Sequence, residues 1–175
     1  MLMEQMNSSG RTVLSKIQVT GFLTIHSAPA ALRPHIEWGL QSILGTWVAL
    51  EWKPQPKAAG TYRTTLEFRD RLGAAAKVAT ALKAWHYLRF EVREESEVGG
   101  EFFRFTPDLG IHRSVIDGLG SIMISEHLIA QTLGKGFDED SLREEFARLL
   151  GNEWELALEP FRGVEMEEVM ALRAI

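Results

Sequence analysis

The chain has 175 residues, of which 45% are hydrophobic and 25% charged, with a net charge of -5. This length allows one sizeable hydrophobic core, and the composition is far from that of a disordered chain. The acidic balance argues against partners such as nucleic acid or an anionic membrane, and the absence of cysteine excludes disulfides, thiolate catalysis and cysteine-based zinc sites.

The first eleven residues, MLMEQMNSSGR, lack the basic and apolar regions of a secretory signal peptide. No run of eighteen uncharged apolar residues occurs further along, so we expect a cytoplasmic protein without a membrane span. Residues 1–16 are predicted to form a flexible tail. Residues 17–175 are predicted to form a single α+β domain with two halves, 17–96 and 97–175.

Alternating apolar and polar residues predict a strand over residues 17–26, IQVTGFLTIH. A helix is predicted next, with Ser27 capping its first turn and with Pro29 and Pro34 at first-turn positions. Gly45 stands where a left-handed residue would end this helix.

Two strands, 46–53 and 61–69, are predicted around the loop PQPKAAG, whose prolines and glycine interrupt strand pairing. Helical spacing of alanine and leucine predicts a helix over 72–85, and alternation returns over 86–95. The order βαββαβ is that of a ferredoxin-like fold, in which two helices cover one face of a four-stranded antiparallel sheet.

Three further strands are predicted in the second half, over residues 101–106, 110–116 and 121–131. A GG turn leads from the strand predicted over 86–95 into the strand over 101–106. A DGLG turn joins the strands over 110–116 and 121–131. These strands either extend the first sheet or form a second one.

A helix over 141–150 is predicted from an apolar stripe and from Ser141 and Glu144, which fit a capping box. A shorter helix follows and should stop before Pro160, because the residue before a proline disfavours the helical conformation. Residues 164–174 are interpreted as a last strand.

The first helix carries a tryptophan on its polar side, because His35, Trp38 and Ser42 share the face opposite its apolar stripe. Such a tryptophan is either covered by another part of the chain or exposed as a contact site. We expect coverage by the C-terminal half, and an exposed partner site is the alternative.

His35 and Glu37 form the H-x-E pattern of zinc deaminases. That chemistry does not fit, because those sites also need cysteine ligands, and residues i and i+2 point about 200° apart around a helix. The remaining candidates, His26, His112 and His127, lie on predicted strands. They could join Asp117 or Glu126 in an acid/base or metal site, but the favoured interpretation is histidines held by hydrogen bonds at strand ends.

The sheet carries a polar face. Alternation places six charged residues of two strands on the side away from the helices: Arg63, Glu67, Arg69, Arg89, Glu91 and Arg93. Cross-strand ion pairs explain this pattern, and a binding face for a second subunit or a ligand is the functional alternative. No G-x-S-x-G, P-loop or G-x-G-x-x-G motif occurs.

Several segments together are distinctive: HSAPAALRPHIEWGL, WKPQP, LRFEV, FTPDLG and WELALEPFR. They resemble an uncharacterised family of actinobacterial proteins of about this length, a domain of unknown function, and the resemblance spans about residues 20–162. It implies a cytoplasmic protein without an assigned activity, cofactor or catalytic residue. It also implies a setting in fatty-acid metabolism.

Two hypotheses follow. The missing motifs favour a non-catalytic binding or regulatory module with no cofactor, which binds a protein partner or a second copy of itself. The alternative is a small hydrolase-like or metal-dependent enzyme that uses His26, His35 or His112 with Glu37 or Glu126. It requires at least three of these side chains to meet in one cleft. The candidate surface residues are His26, His35, Glu37, Trp38, Gln55, Arg89, Thr106, His112 and Arg162.

Overall fold

A computed structural model describes residues 17–135 and 138–164. The strands in these ranges are β1 (Gln18–Pro29), β2 (Lys53–Pro54), β3 (Thr61–Arg71), β4 (Arg89–Glu95), β5 (Gly100–Thr106), β6 (Gly110–Ile116) and β7 (Ile122–Met123). The α-helices are α1 (Arg33–Leu44), α2 (Ala74–Leu82), α3 (Glu126–Lys135), α4 (Glu139–Leu150) and α5 (Asn152–Arg162). A 3-10 turn, Ala30–Leu32, precedes α1.

The strands form one antiparallel sheet in the order β2-β3-β1-β4-β5-β6-β7. The α+β class is therefore confirmed, and the strands of the second half extend the sheet of the first. None of the helices in the described ranges is both long and apolar enough to cross a membrane.

One face of the sheet packs against α1 and α2. Leu23 and Ile25 of β1 lie opposite Val92 and Phe90 of β4, and all four side chains are almost fully buried. The alanine-rich helix α2 belongs to the same buried cluster, since short side chains let a helix approach a sheet closely. Each large apolar side chain buried here stabilises the fold by roughly 1.5–3 kcal/mol.

Helix α5 packs on the opposite face, against β1 and β5. The Trp154 indole donates a hydrogen bond to the Gly110 carbonyl at 2.9 Å, which fixes the start of α5 to β6. The central strands therefore lie between two helical layers.

Two predicted strands are wrong. Of the strand predicted over 46–53, only Lys53 pairs with β3, in the two-residue strand β2, because this segment runs into two prolines and leaves Trp47 81% exposed. Only Ile122–Met123 of the strand predicted over 121–131 forms, and α3 follows. The apolar residues of 121–131 also fit a helical stripe, so this short apolar segment does not distinguish a strand from a helix.

The start of α1 differs from the prediction. Strand β1 continues to Pro29, so Ser27 lies in the strand and its hydroxyl donates to the Thr61 hydroxyl at 3.1 Å instead of capping a helix. Pro34 does lie in the first turn of α1, and Gly45 ends it with a φ of 63°. Both of these predictions are confirmed.

The C-terminal helices correct two further details. Asp138 caps α4, because its carboxylate accepts from the Ser141 N–H at 2.8 Å. Pro160 lies inside α5 instead of beyond it. Proline has no N–H, so the carbonyl of Leu156, four residues earlier, loses its helical partner; Leu156 itself is 75% exposed. The predicted tail, 1–16, and all but the first residue of the predicted last strand lie outside the described residues.

Candidate functional site

A bulge in β1 places His26. The register of β1 shifts between Ile25 and Ala28 on the β3 side and between Ile25 and Ser27 on the β4 side. The buried amide of Gln55 donates to the His26 carbonyl at 2.7 Å and accepts from the Lys57 N–H at 3.1 Å. Gln55 therefore holds the bulge, and bulges of this kind re-aim side chains beside functional sites.

His26 pairs with Glu91 of β4. The Nε2 atom of His26 lies 2.7 Å from Glu91 Oε2, and the two side chains are only 5% and 13% exposed. Arg162, at the end of α5, donates from Nε to Glu91 Oε2 at 2.9 Å and from Nη2 to Oε1. The Glu91 carboxylate therefore lies between the His26 imidazole and the Arg162 guanidinium. The bidentate pair with Arg162 is among the stronger ion-pair geometries.

The charges of this cluster are fixed. Burial works to raise the pKa of Glu91, but hydrogen bonds and charge from His26 and Arg162 outweigh it and lower the pKa to about 2. Burial likewise works to lower the pKa of Arg162, and the Glu91 and Glu155 carboxylates raise it above its usual range. Both groups are therefore ionised at neutral pH.

The network continues along the sheet face to β5. Arg162 also donates to Glu155, whose Oε2 accepts from Nη1 of the buried Arg104 at 3.1 Å. Arg104 donates further to the carbonyls of Leu150 and Gly151 at 2.7 and 3.1 Å. A cation beside the last carbonyls of a helix is favourable, so Arg104 fixes the α4–α5 junction to the sheet.

His112 belongs to this second part of the network. Its Nε2 donates to the Leu149 carbonyl at 3.1 Å, and its Nδ1 accepts from Arg104 Nη2 at 3.3 Å. Burial, together with the positive charge of Arg104, lowers the pKa of His112. A neutral histidine that uses both nitrogens in this way anchors the helices to the sheet.

A cavity of about 300 Å³ opens beside the His26–Glu91 pair, between β1, β3, β4 and the end of α5. Its charged and titratable lining consists of His26, Glu51, Lys53, Arg63, Glu91 and Arg162. Thr24, Thr65 and Phe161 also line it. The cavity therefore offers hydrogen-bonding groups and both signs of charge on a half-enclosed sheet face.

Trp38 is 63% exposed, so the expected coverage by the C-terminal half is wrong. The reason is that the C-terminal helix α5 packs on the other face of the sheet from α1. The Trp38 ring contacts the His35 ring edge-to-face with centroids 5.5 Å apart, and Glu37 accepts from the Trp52 indole at 2.9 Å.

Two further candidates, Thr106 and Arg89, each contact one identified partner. The Thr106 hydroxyl accepts from the Leu109 N–H at 3.2 Å and closes the turn between β5 and β6. The Arg89 guanidinium lies 4.9 Å from the centre of the Phe161 ring, next to the cavity.

The histidines do not gather as the enzyme hypothesis requires. His26, His35 and His112 each contact different partners, and His127 lies on α3 beside Gln131 instead of on a strand. Over residues 17–135 and 138–164, no three His, Asp or Glu side chains are placed to hold a metal ion.

Glu91 and Arg104 were missed as site residues. Glu91 gave a weak signal, because alternation places it with Arg89 and Arg93 on the polar face of the sheet. Arg104 gave a clearer signal, since it is a single cation in the aromatic segment EFFRFT. Their partners, Arg162 and Glu155, lie more than 50 positions away in the sequence, and no local sequence pattern predicts a contact between residues so far apart.

These features define an α+β protein with a charged cavity on one face of an antiparallel sheet. The chain belongs to a family described as a protein of unknown function (DUF3145), which matches residues 22–173 and so includes the whole cavity. No curated protein and no solved structure matches the chain.

Proposed function

We propose that this chain is a non-catalytic binding module that holds a small polar molecule in the sheet cavity. The observation that carries the proposal is the cavity itself, which at about 300 Å³ lies at the lower end of the range for ligand sites and contains converging polar groups. The bulge, Gln55 and the Glu91–Arg162 clamp hold this lining rigidly. A rigid lining lowers the cost of ordering the site when a ligand binds.

The fixed charges favour binding over catalysis. A carboxyl with a pKa of about 2 is a weak proton acceptor at neutral pH, and efficient acid/base groups have pKa values near the working pH. Glu91 and Arg162 therefore fit the role of permanent charges that shape the site.

One observation favours a small enzyme as the second candidate. Glu91 holds Nε2 of His26, and the other ring nitrogen, Nδ1, has no hydrogen-bond partner within the described part of the chain. A carboxylate that orients an imidazole is a common way to prepare a general base. In this alternative the pair is His26 with Glu91, instead of the partners Glu37 or Glu126.

We further propose that residues 17–96 form a ferredoxin-like unit. The neighbouring order β2-β3-β1-β4 and the packing of α1 and α2 on one face support this.

Exposure of Trp38 supports a protein partner or self-association through α1. The actinobacterial source, the cytoplasmic location and the link to fatty-acid metabolism rest on the sequence and its resemblance, and fractionation and co-purification from such a host would test them.

Native mass spectrometry of gently purified protein tests the binding function. We expect the wild type to retain a small molecule, His26→Gln to lose it and His35→Gln to keep it, since His35 is exposed on the opposite side of the sheet. Circular dichroism would confirm that both variants fold. Equal retention by both variants would contradict a ligand site at His26.

The enzyme alternative needs a separate readout. Hydrolysis of a p-nitrophenyl ester that is lost in His26→Gln and kept in His35→Gln would favour catalysis by His26 and count against the non-catalytic proposal.

A further inference from the structure

The outer edge of β3 is open over most of its length. Strand β3 spans Thr61–Arg71, but β2 pairs only with Tyr62 and Arg63. Among the described residues, no strand pairs with the outer edge of β3 from Thr64 onwards. An open strand edge presents N–H and C=O groups that can pair with a strand of another chain.

The hydrogen bonds at both ends of β3 show which backbone groups face outward. The Thr61 carbonyl accepts from the Gln55 N–H on the β2 side at 2.9 Å, whereas the Leu72 N–H donates to the Ile17 carbonyl on the β1 side at 3.0 Å. These directions alternate along an antiparallel strand, so the odd-numbered residues of β3 face outward with both backbone groups. On the open edge these residues are Thr65, Glu67, Arg69 and Arg71.

Glu67 and Arg69 place opposite charges on this edge, and both side chains are exposed. The sequence suggested cross-strand ion pairs for them, but the residues opposite on β1 are Phe22 and Thr20. Over residues 17–135 and 138–164, neither Glu67 nor Arg69 forms an ion pair. Charges on an edge strand usually keep other strands away, but a Glu-x-Arg pattern is complementary to a reversed copy of itself.

A second, antiparallel copy of β3 fits this edge in one register. When Phe68 lies opposite Phe68 of the second copy, Glu67 of each copy lies opposite Arg69 of the other, at positions whose backbone groups face each other. A shift of one strand by two residues keeps the backbone pairing but places Glu67 opposite Glu67, or Arg69 opposite Arg69. Opposite charges in directly opposed positions stabilise a sheet and like charges destabilise it, so the charge pattern selects the first register.

The same register brings the second copy to the cavity. Arg71 of the second copy lies opposite Thr65, which lines the cavity, and alternation puts both side chains on the cavity face. The pairing ends before Arg63, where β2 already occupies the edge. Each copy would therefore add one cation to the rim of the other copy's cavity.

We infer that two copies of this chain form a symmetric dimer by pairing the open edges of their β3 strands, so that the two sheets become one. A two-fold interface requires a surface that is complementary to itself, and the charge pattern of β3 meets this requirement. The inference does not rest on the proposed binding function.

Analytical ultracentrifugation of the full chain tests the dimer by charge reversal. Glu67→Arg and Arg69→Glu should each raise the dissociation constant of the dimer about a hundredfold, because two opposite-charge contacts become like-charge contacts. The double variant, Glu67→Arg with Arg69→Glu, exchanges the charges in both copies and should restore the dimer. Glu144→Arg, the same charge change on the exposed side of α4, should leave the dimer unchanged.

A mixture of the two single variants gives the sharpest result. Each alone should be monomeric, whereas the mixture should form heterodimers, since one copy carries arginine at both positions and the other carries glutamate. A wild type that stays monomeric at about 100 μM would overturn the inference. So would a dimer that persists in Glu67→Arg, a mixture that does not associate, or a dimer that is lost in Trp38→Ala and kept in both charge variants.

Discussion

Glu91 and Glu94 lie three positions apart on β4, and their side chains point to opposite faces of the sheet. Glu94 is fully buried on the face toward α1 and α2, where it accepts from the N–H groups of Gly73 and Ala75, each at 2.9 Å. Glu91 lies on the other face between His26 and Arg162. Burial raises the pKa of Glu94, whereas for Glu91 the hydrogen bonds with His26 and Arg162 outweigh burial and lower the pKa to about 2.

Glu94 and Glu91 have different roles on the two faces of the sheet. Backbone N–H groups at the start of α2 satisfy Glu94 but do not fully compensate its loss of water, so this carboxyl serves the fold as a helix cap. Full charges satisfy Glu91 and keep it ionised beside an open cavity. The face toward α1 and α2 is thus closed and largely apolar, and the face toward α5, which carries the ion pairs, retains an open cavity.

The largest effect is expected on the apolar face. Phe90→Ala should lower the free energy of unfolding by about 3–5 kcal/mol, because it removes a fully buried ring that stacks on Phe105 at 5.2 Å. Urea unfolding followed by circular dichroism measures this. Phe22→Ala, on the other face and 36% exposed, is the control and should lose much less. Equal losses would contradict the division between the faces.

Glu91→Gln is expected to lower the stability by about 2 kcal/mol at pH 7, because it leaves the half-buried Arg162 and His26 without their carboxylate. The folded-state pKa of Glu91, about 2, lies below the ordinary value of 4.5. Its stabilisation is therefore present above pH 4.5 and is lost as the pH falls towards 2. The difference between wild type and variant should shrink over that window in pH-dependent urea unfolding.

Glu95→Gln is the matched control for this experiment. Glu95 lies on the same strand and is 39% exposed in its pair with Arg93, so its loss should cost only a few tenths of a kcal/mol. A Glu91→Gln difference that stays constant between pH 5 and pH 2 would show that Glu91 is not held ionised by its partners.

Glu94→Gln should cost only about 1 kcal/mol at pH 7, since the amide oxygen keeps one N–H partner and the buried negative charge is removed. The raised pKa gives the opposite pH dependence to that of Glu91. Protonation of Glu94 favours the folded state, so the wild type should gain stability relative to this variant as the pH falls. If the stability difference from wild type changed with pH in the same direction for Glu91→Gln and Glu94→Gln, the contrast between the two carboxyl groups would be wrong.

Trp38→Ala should change the stability of the isolated chain by less than about 0.5 kcal/mol, because the ring is mostly exposed. Thermal unfolding at low protein concentration measures this. A loss above about 2 kcal/mol would contradict this and show that Trp38 is covered within the isolated chain.

Much of the sheet could be predicted because strand periodicity is a local property. Apolar and polar residues alternate over residues 17–26 and 88–93, and β1 and β4 form there. Periodicity does not report on register. The bulge at His26 and the role of Gln55 depend on pairing between β1 and two other strands, so they could not be derived from either segment alone.

The sequence could predict some residues of the candidate site but not the contacts between them. His26, Gln55 and Arg162 come from segments that resemble the family, and the structure places His26 and Arg162 on the cavity and Gln55 behind the bulge. Their connection through Glu91 joins residues 71 positions apart, which is a tertiary contact. Alternation places Glu91 on the polar face but does not identify its partner.

The long separation between Glu91 and Arg162 also sets an order of events during synthesis. The strands and helices of the apolar layer, from β1 to β5, leave the ribosome before α5 is made. Until then the His26–Glu91 pair lacks the guanidinium of Arg162 on that side of the sheet. The guanidinium of Arg162 arrives last, and its docking completes the cavity after the rest of the sheet has formed.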